Sequence, residues 1–455
     1  MKKEENIPEI IDSPIKMSEP NEQIIIYSGQ FEIKQDANNC KVNGQIFYNW
    51  LPNAGPHFSG NISIENLKML DTIENKERFN IIVDGLQFGE GIITLSQIKN
   101  STNDIYVEGL VIGPAILGDK TIAVSSVLFS IPNLRDLIGL PVQKTTETNI
   151  TCSLGRFIFE NDEYVITIDK SYKFKEQKSL LNSKGGCLIL YAGELKSKKQ
   201  SIILEEVMDT FHCLNKFLSF LNGRRTAALF THGYHKNSLV WSDYSRYIVD
   251  NFKSVQTWPQ MHSIDGLNEL WKEFSKIWKD ENDKYFLSSV IHWYVEANGN
   301  SGFIEGSIIM AQTALELIYN WWLIENKKLI IGKDTDNIST SNKLRLLLSQ
   351  LNIPYSPPTS FAHLQTLIKN NQDINDAPEA FVQIRNAIVH SQEEKRKKLS
   401  NIHALTKLEA LQTSLWYIEM SLLSIFKFKG MYLNRCSGEK WNAMAEEYVP
   451  WEANK

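Results

Sequence analysis

The stretch Lys196-Ser-Lys-Lys-Gln200, followed by Ser-Ile-Ile-Leu204-Glu-Glu-Val207-Met208-Asp-Thr-Phe211-His-Cys-Leu214-Asn-Lys-Phe217-Leu218-Ser-Phe-Leu221-Asn222-Gly223, divides the chain into two kinds of sequence. After the Lys/Ser-rich break, apolar residues recur every three or four positions from Leu204 to Leu221. Asn222-Gly223 then ends the pattern, as the carboxyl cap of an amphipathic helix does. Before the break the pattern is different. Short β-rich runs stand between Gly, Asn and Asp: Ile24 to Tyr27, Phe79 to Val83, Ile92 to Leu95, Ile105 to Val111, Thr121 to Phe129, Gly155 to Phe159, Tyr164 to Ile168 and Cys187 to Tyr191. Many short strands separated by turn signals predict an antiparallel sandwich or barrel-like sheet.

Beyond the junction the sequence reads as helical. Ten of the eleven tryptophans lie after residue 240, and Trp271 and Trp278 stand a heptad apart, which suits large buried helical faces. Helices are predicted at about 265–279, 284–297, 303–325, 341–351, 360–369, 377–390 and 402–427. The fold class is therefore α+β, a β-rich antiparallel amino-terminal domain followed by an all-α carboxyl-terminal half containing a helical bundle. The expected organisation is a flexible arm over 1–20, a β-rich domain over 21–198, a helical connector over 199–283, the bundle over 284–430 and an extension over 431–455. The arm is inferred from a polar stretch with Pro8, Pro14 and Pro20 and no sustained period.

With 455 residues, 42% hydrophobic and 22% charged, the composition is that of a globular protein of two or three domains. A formal charge of −5 argues against a wholesale basic coat for nucleic acid, although a local basic patch still holds phosphates. The five cysteines are scattered, without a Cys-x-x-Cys pair, so neither a disulfide framework nor a zinc ribbon is expected. His232 and His235 have an offset that suits a metal only with further ligands, and none is close in sequence, so no metal or cofactor is expected. The start Met-Lys-Lys-Glu-Glu-Asn lacks the apolar segment of a signal peptide, and Ile308 to Ile324 carries Glu316 near its middle. The expectation is a cytoplasmic protein with no membrane span.

One element suggests chemistry. Phe381-Val-Gln-Ile-Arg385-Asn386-Ala-Ile-Val-His390-Ser closes an amphipathic helix, and a polar run, Gln-Glu-Glu-Lys395-Arg396-Lys397-Lys398, follows it. Phe381, Ile384 and Ile388 form its apolar stripe, whereas Asn386 and His390 share a face. A histidine at a helix carboxyl end exchanges protons near neutrality, and an arginine contacts two oxygens of one phosphate. Together they suggest metal-free RNA cleavage, with His390 as acid or base, Arg385 stabilising the phosphate and Asn386 orienting either group. One histidine serves poorly in both roles, so a second copy of the chain, facing the first, would complete the site. Lys395, Arg396, Lys397 and Lys398 form a candidate RNA-binding run, although a charge run is more often a solvated face. The competing reading is a capped helix end, with Arg385 paired to Glu316 or Glu379, in a non-catalytic module for dimerisation and nucleotide, RNA or protein binding.

The Arg385-Asn386-x-x-x-His390 element, Tyr294-Val-Glu-Ala-Asn298, Ile308-Ile-Met-Ala-Gln-Thr-Ala-Leu-Glu316 and the long helix after the motif resemble a HEPN domain over about residues 284–427. The β-rich region joined to it further resembles the ApeA-like proteins of bacterial anti-phage defence. The resemblance implies a helical ribonuclease that dimerises around paired motifs, with Arg385 and His390 at the catalytic positions and Asn386 as their polar companion. Glu316 matches an acidic position facing the motif. It also implies RNA as substrate, with tRNA one candidate. The β-rich half has no catalytic candidate and an uncontrolled ribonuclease would poison its host, so that half is expected to sense a trigger, phage-derived in a defence system, or to restrain the nuclease.

Overall fold

The computed structural model describes residues 7–36, 38–63, 77–99, 104–199, 201–259, 266–299, 303–390, 393–394, 397, 401–439 and 444–452. Lys395, Arg396 and Lys398 lie outside them. The β-rich amino-terminal half and the helical carboxyl-terminal half are both present. Contacts divide the chain into two compact units, the first running to Arg135 and adding Leu140–Asn215 and Thr226–Lys253, the second formed by Asp136–Gly139, Lys216–Arg225 and residues from Ser254 onward.

The first unit contains two sheets. Strands β1 (Ile24–Gln35), β2 (Asn38–Asn49), β3 (Gly55–Ser63), β4 (Phe79–Val83), β5 (Leu86–Lys99) and β6 (Asp104–Ile112) form a closed antiparallel barrel in the order β1-β2-β3-β6-β5-β4. Pairing of Glu32 with Ile82 and Lys34 with Asn80 closes it. Period-two alternation fills the interior, with Phe31 and Ile33 of β1 and Phe79, Ile81 and Val83 of β4 buried. Gly44 and Gly60 are paired across β2 and β3, and a Cβ on Gly44 would lie 1.9 Å from the Ser59 carbonyl oxygen, so the close approach requires glycine there.

The second sheet is antiparallel throughout. It comprises β7 (Ile116–Gly118), β8 (Ser126–Pro132), β9 (Leu140–Thr145), β10 (Ile150–Glu160), β11 (Tyr164–Lys170), β12 (Ile189–Ser197), β13 (Leu229–His235) and β14 (Ser238–Asp243), in the order β7-β14-β13-β8-β12-β11-β10-β9. Helix α1 (Phe174–Lys184) connects β11 to β12. Helix α2 (Leu204–Asn222) starts in the first unit and ends in the second.

Two expectations are corrected here. The described part of the supposed arm is fixed to the sheet: the Ile10 and Gln143 backbone N–H groups donate to the Gln143 and Pro8 carbonyls at 2.9 and 3.0 Å. The Ile11 N–H donates to Asp169 Oδ2 at 2.8 Å, and Arg156 holds both Asp169 and the Glu9 carbonyl. The prolines that suggested mobility break secondary structure without preventing these bonds. The connector is not wholly helical either, because β13 and β14 form a hairpin within it. Its two-residue turn, Lys236-Asn237, has φ of 46° and 68°, the left-handed pair that a type I′ connection requires.

The second unit is built from α3 (Leu267–Trp278), α4 (Glu281–Asn298), α5 (Ile304–Tyr319), a π-helical turn over Asn320–Asn326, α6 (Thr340–Gln350), α7 (Ala362–Asn370), α8 (Ala377–Val389) and α9 (Ala404–Ile425). Helix α8 packs against α5, α6, α7 and α9. Its stripe of Ala380, Phe381, Ile384 and Ala387 is buried, as are Ala311, Leu315 and Ile318 of α5 and Leu411, Leu415, Ile418 and Leu422 of α9. A small hairpin, β15 (Met431–Leu433) with β16 (Glu446–Tyr448), follows.

The segment after 430 belongs to this core. Arg435 Nε donates to Glu419 Oε2 of α9 at 2.9 Å, and its Nη2 contacts Glu419 Oε1. The remaining Arg435 donors reach Gln412 Oε1 at 3.0 Å, and the Gln256 carbonyl and Asn298 Oδ1 at 3.2 Å each. Tyr294 donates to the same carboxylate at 2.5 Å. Among the described residues no helix is long and apolar enough to cross a membrane.

Candidate functional site

Helix α8 is fixed at its start and open at its end. Asp376 caps it by accepting the Glu379 N–H at 2.9 Å, and Pro378 lies in the first turn, where its missing donor costs nothing. Arg345 of α6 grips this cap, with Nε and Nη2 at 2.5 and 3.0 Å from the Asp376 carboxylate and Nη2 at 3.2 Å from Glu379. The helix runs to Val389. His390 then leaves helical geometry with φ −90° and ψ 89°, while its N–H still bonds the Asn386 carbonyl at 3.0 Å. Val389 and His390 are exposed.

Arg385 and Asn386 come together. Both are half-buried, and Arg385 Nη1 donates to Asn386 Oδ1 at 3.2 Å. Arg385 Nε is buried without a hydrogen-bond acceptor among the described residues. No carboxylate among the described residues lies in ion-pair contact with this guanidinium. The pairing with Glu316 or Glu379 anticipated for a purely structural arginine is absent: Glu379 is taken by Arg345, and Glu316 accepts from Gln312 Nε2 at 3.0 Å.

Glu316 and Arg385 nevertheless act on one neighbour. Burial pushes the Tyr319 hydroxyl up to about 12, Glu316 adds to the rise, and the Arg385 charge opposes it. Tyr319 is the last residue of α5, immediately before the π-helical turn, a distortion common at functional sites. Lys343 of α6 places its ammonium 5.5 Å from the centre of the Tyr319 ring, and it too has no carboxylate in contact among the described residues. Only the packing of α5, α6 and α8 brings Tyr319 and Lys343 to the candidate site.

The remaining candidates separate from this cluster. Lys397 is exposed and forms an ion pair with Glu393 at 2.8 Å, one helical turn away. His232 is buried on β13, where burial pushes its pKa down to about 4, whereas His235 is exposed, so the two do not form a ligand pair. Among the described residues there is no group of three or more His, Cys, Asp or Glu positioned to hold a metal ion. Trp321, just after Tyr319, is packed internally: it stacks on Phe286 at 4.4 Å and donates to Asp283 at 2.7 Å.

Comparison with known proteins adds a class first. Residues 119–255 match the family described as the YopA central domain, and residues 280–447 match the YopA C-terminal domain, which takes in the whole of α8 and its neighbours α4 to α9. A particular relative follows: the chain is 28% identical over 439 residues to the SPbeta prophage-derived uncharacterized protein YopA of Bacillus subtilis (strain 168), covering 95% of this chain and 96% of that one. No solved structure matches the chain. The likeness to HEPN and ApeA-like proteins therefore rests on the residues of this chain alone.

Proposed function

We propose that this protein is a metal-independent endoribonuclease of the HEPN type, acting as a homodimer in which two copies of the Arg385–His390 element face one RNA strand. The observation that carries the reading is the state of Arg385. A half-buried guanidinium that has neither a carboxylate in contact nor an acceptor for Nε among the described residues retains the donors that a phosphate takes up. His390 stands at the exposed end of the same helix, accessible to a substrate.

In the proposed reaction, one His390 removes the proton from a ribose 2′-hydroxyl as the 2′-oxygen attacks phosphorus. The bond to the 5′-oxygen breaks, and the other copy's His390 supplies that oxygen with a proton. Arg385 binds the non-bridging oxygens as charge gathers on the pentacoordinate phosphorus, and Asn386 holds the Arg385 guanidinium in place. Lys343 adds positive charge near Tyr319. The products are a 2′,3′-cyclic phosphate and a 5′-hydroxyl. RNA, with tRNA as the first substrate to try, and a phage-derived trigger acting through the β-rich unit complete the proposal. The similar Bacillus subtilis protein is prophage-derived.

The test is to incubate purified protein with total cellular RNA in excess EDTA and map the ends formed. Fragments bearing 2′,3′-cyclic phosphates and 5′-hydroxyls are expected. RNA bound but left uncut would replace the nuclease with a non-catalytic binding module. A strictly monomeric active enzyme in light scattering would contradict the composite site.

A further inference from the structure

The first unit holds a cavity of about 560 Å³ between the amino-terminal segment, α1 and β12. Small-molecule sites span roughly 300–1,000 Å³. Its apolar lining includes the buried side chains of Ile189 and Ala192 from β12 and Met17 from the amino-terminal segment, with Leu180 of α1 beside them.

The polar groups at this cavity are specific. Gln177 of α1 donates from Nε2 to the Ile189 carbonyl at 3.1 Å, while its Oε1 is buried without a partner among the described residues. Flipping the amide would press two acceptors together, so the group left over is an acceptor that calls for an N–H or O–H donor. Most of the charge lining the cavity is already matched. Lys144 pairs with Asp12 at 2.7 Å, Arg156 with the buried Asp169 at 2.6 Å, and Glu22 accepts the Ser18 N–H and hydroxyl. Lys16, Lys173 and Glu176 remain, all exposed at the rim and in no ion pair among the described residues.

We propose that this cavity binds a mononucleotide. The flat base lies on the apolar lining and donates an N–H to Gln177 Oε1, the phosphate meets Lys16 and Lys173, and a ribose hydroxyl donates to Glu176. A purely apolar ligand would leave Gln177 unsatisfied, and inorganic phosphate would leave the apolar surface unused. A base, a sugar and a phosphate together answer all of these groups. The proposal is independent of the reading given to the helical unit.

Calorimetric titration of the full-length protein with AMP, GMP, CMP and UMP tests it, with adenosine and inorganic phosphate as controls. At least one mononucleotide is expected to bind with a Kd below about 1 mM. The double substitution Lys16→Glu, Lys173→Glu and the single substitution Gln177→Leu are each expected to weaken it about tenfold or more, the size of one hydrogen bond to a charged or buried group. Arg385→Ala should leave this binding unchanged, which separates the cavity from the helical site. Lys16 and Lys173 are exposed, so their replacement leaves the core intact. Failure of all four nucleotides, equal binding of adenosine or inorganic phosphate, or wild-type affinity in the Lys16/Lys173 double variant or in Gln177→Leu would each overturn the proposal.

Discussion

Two arginines of the helical unit, Arg435 and Arg385, differ in the number of partners each has. Arg435 is almost wholly buried, and Nε, Nη1 and Nη2 all donate to protein acceptors, with the Glu419 carboxylate compensating its charge. Arg385 is half-buried, has one neutral acceptor and no carboxylate in contact among the described residues. A buried charge that is fully paired holds a fold together, whereas one that is left unpaired destabilises it unless something else takes the contact. The first arrangement belongs to the core, and the second leaves the guanidinium for the anionic substrate proposed above.

The largest effect is expected where compensation is removed. Glu419→Ala leaves Arg435 charged and enclosed, and should cost about 3–5 kcal/mol in urea unfolding. A loss below about 1 kcal/mol would mean that the Arg435 network is not what distinguishes the two arginines.

A titrating group offers the same contrast in the first unit. His232 is buried, and burial pushes its pKa down to about 4 from 6.5. The folded protein therefore excludes a proton that the unfolded chain takes up. Stability should fall as pH drops from 6.5 toward 4, by about 3 kcal/mol in all. His232→Gln should remove that part of the slope. An unchanged slope would mean that water reaches the imidazole in the folded state.

Asp376 is a smaller case in which one carboxylate caps α8 and holds Arg345. Asp376→Ala should cost about 1–2 kcal/mol in thermal unfolding. RNA cleavage should fall with it, because the helix that presents Arg385 frays from its start. The smallest effect belongs to Lys397→Ala. Its exposed pair with Glu393 should be worth less than about 0.5 kcal/mol, with RNA affinity nearly unchanged.

Much of this was legible in the sequence, for physical reasons that also explain the gaps. The apolar stripes that predict helices at 303–325, 377–390 and 402–427 are the faces buried in α5, α8 and α9. Strands β2 and β3 escape because Gly44 and Gly60 interrupt their alternation, and α1 because its Lys-rich sequence has only a weak apolar face. The β13–β14 hairpin carries Lys-Asn at its turn in place of the stronger Asn-Gly signal. Arg385 and His390 stand out because six consecutive residues at the end of one helix contain both. Lys343, Tyr319 and the Glu419–Arg435 pair do not, since tertiary packing alone brings them to their partners.

The central claim, that Arg385 is retained for an anionic substrate and not for the fold, is tested most directly by comparing RNA cleavage by the wild type and Arg385→Ala in excess EDTA, at matched concentrations of folded protein. Cleavage should fall about 100-fold or more, the scale expected when a charge-stabilising donor is lost from a transition state. Equal cleavage by the two proteins would contradict the account.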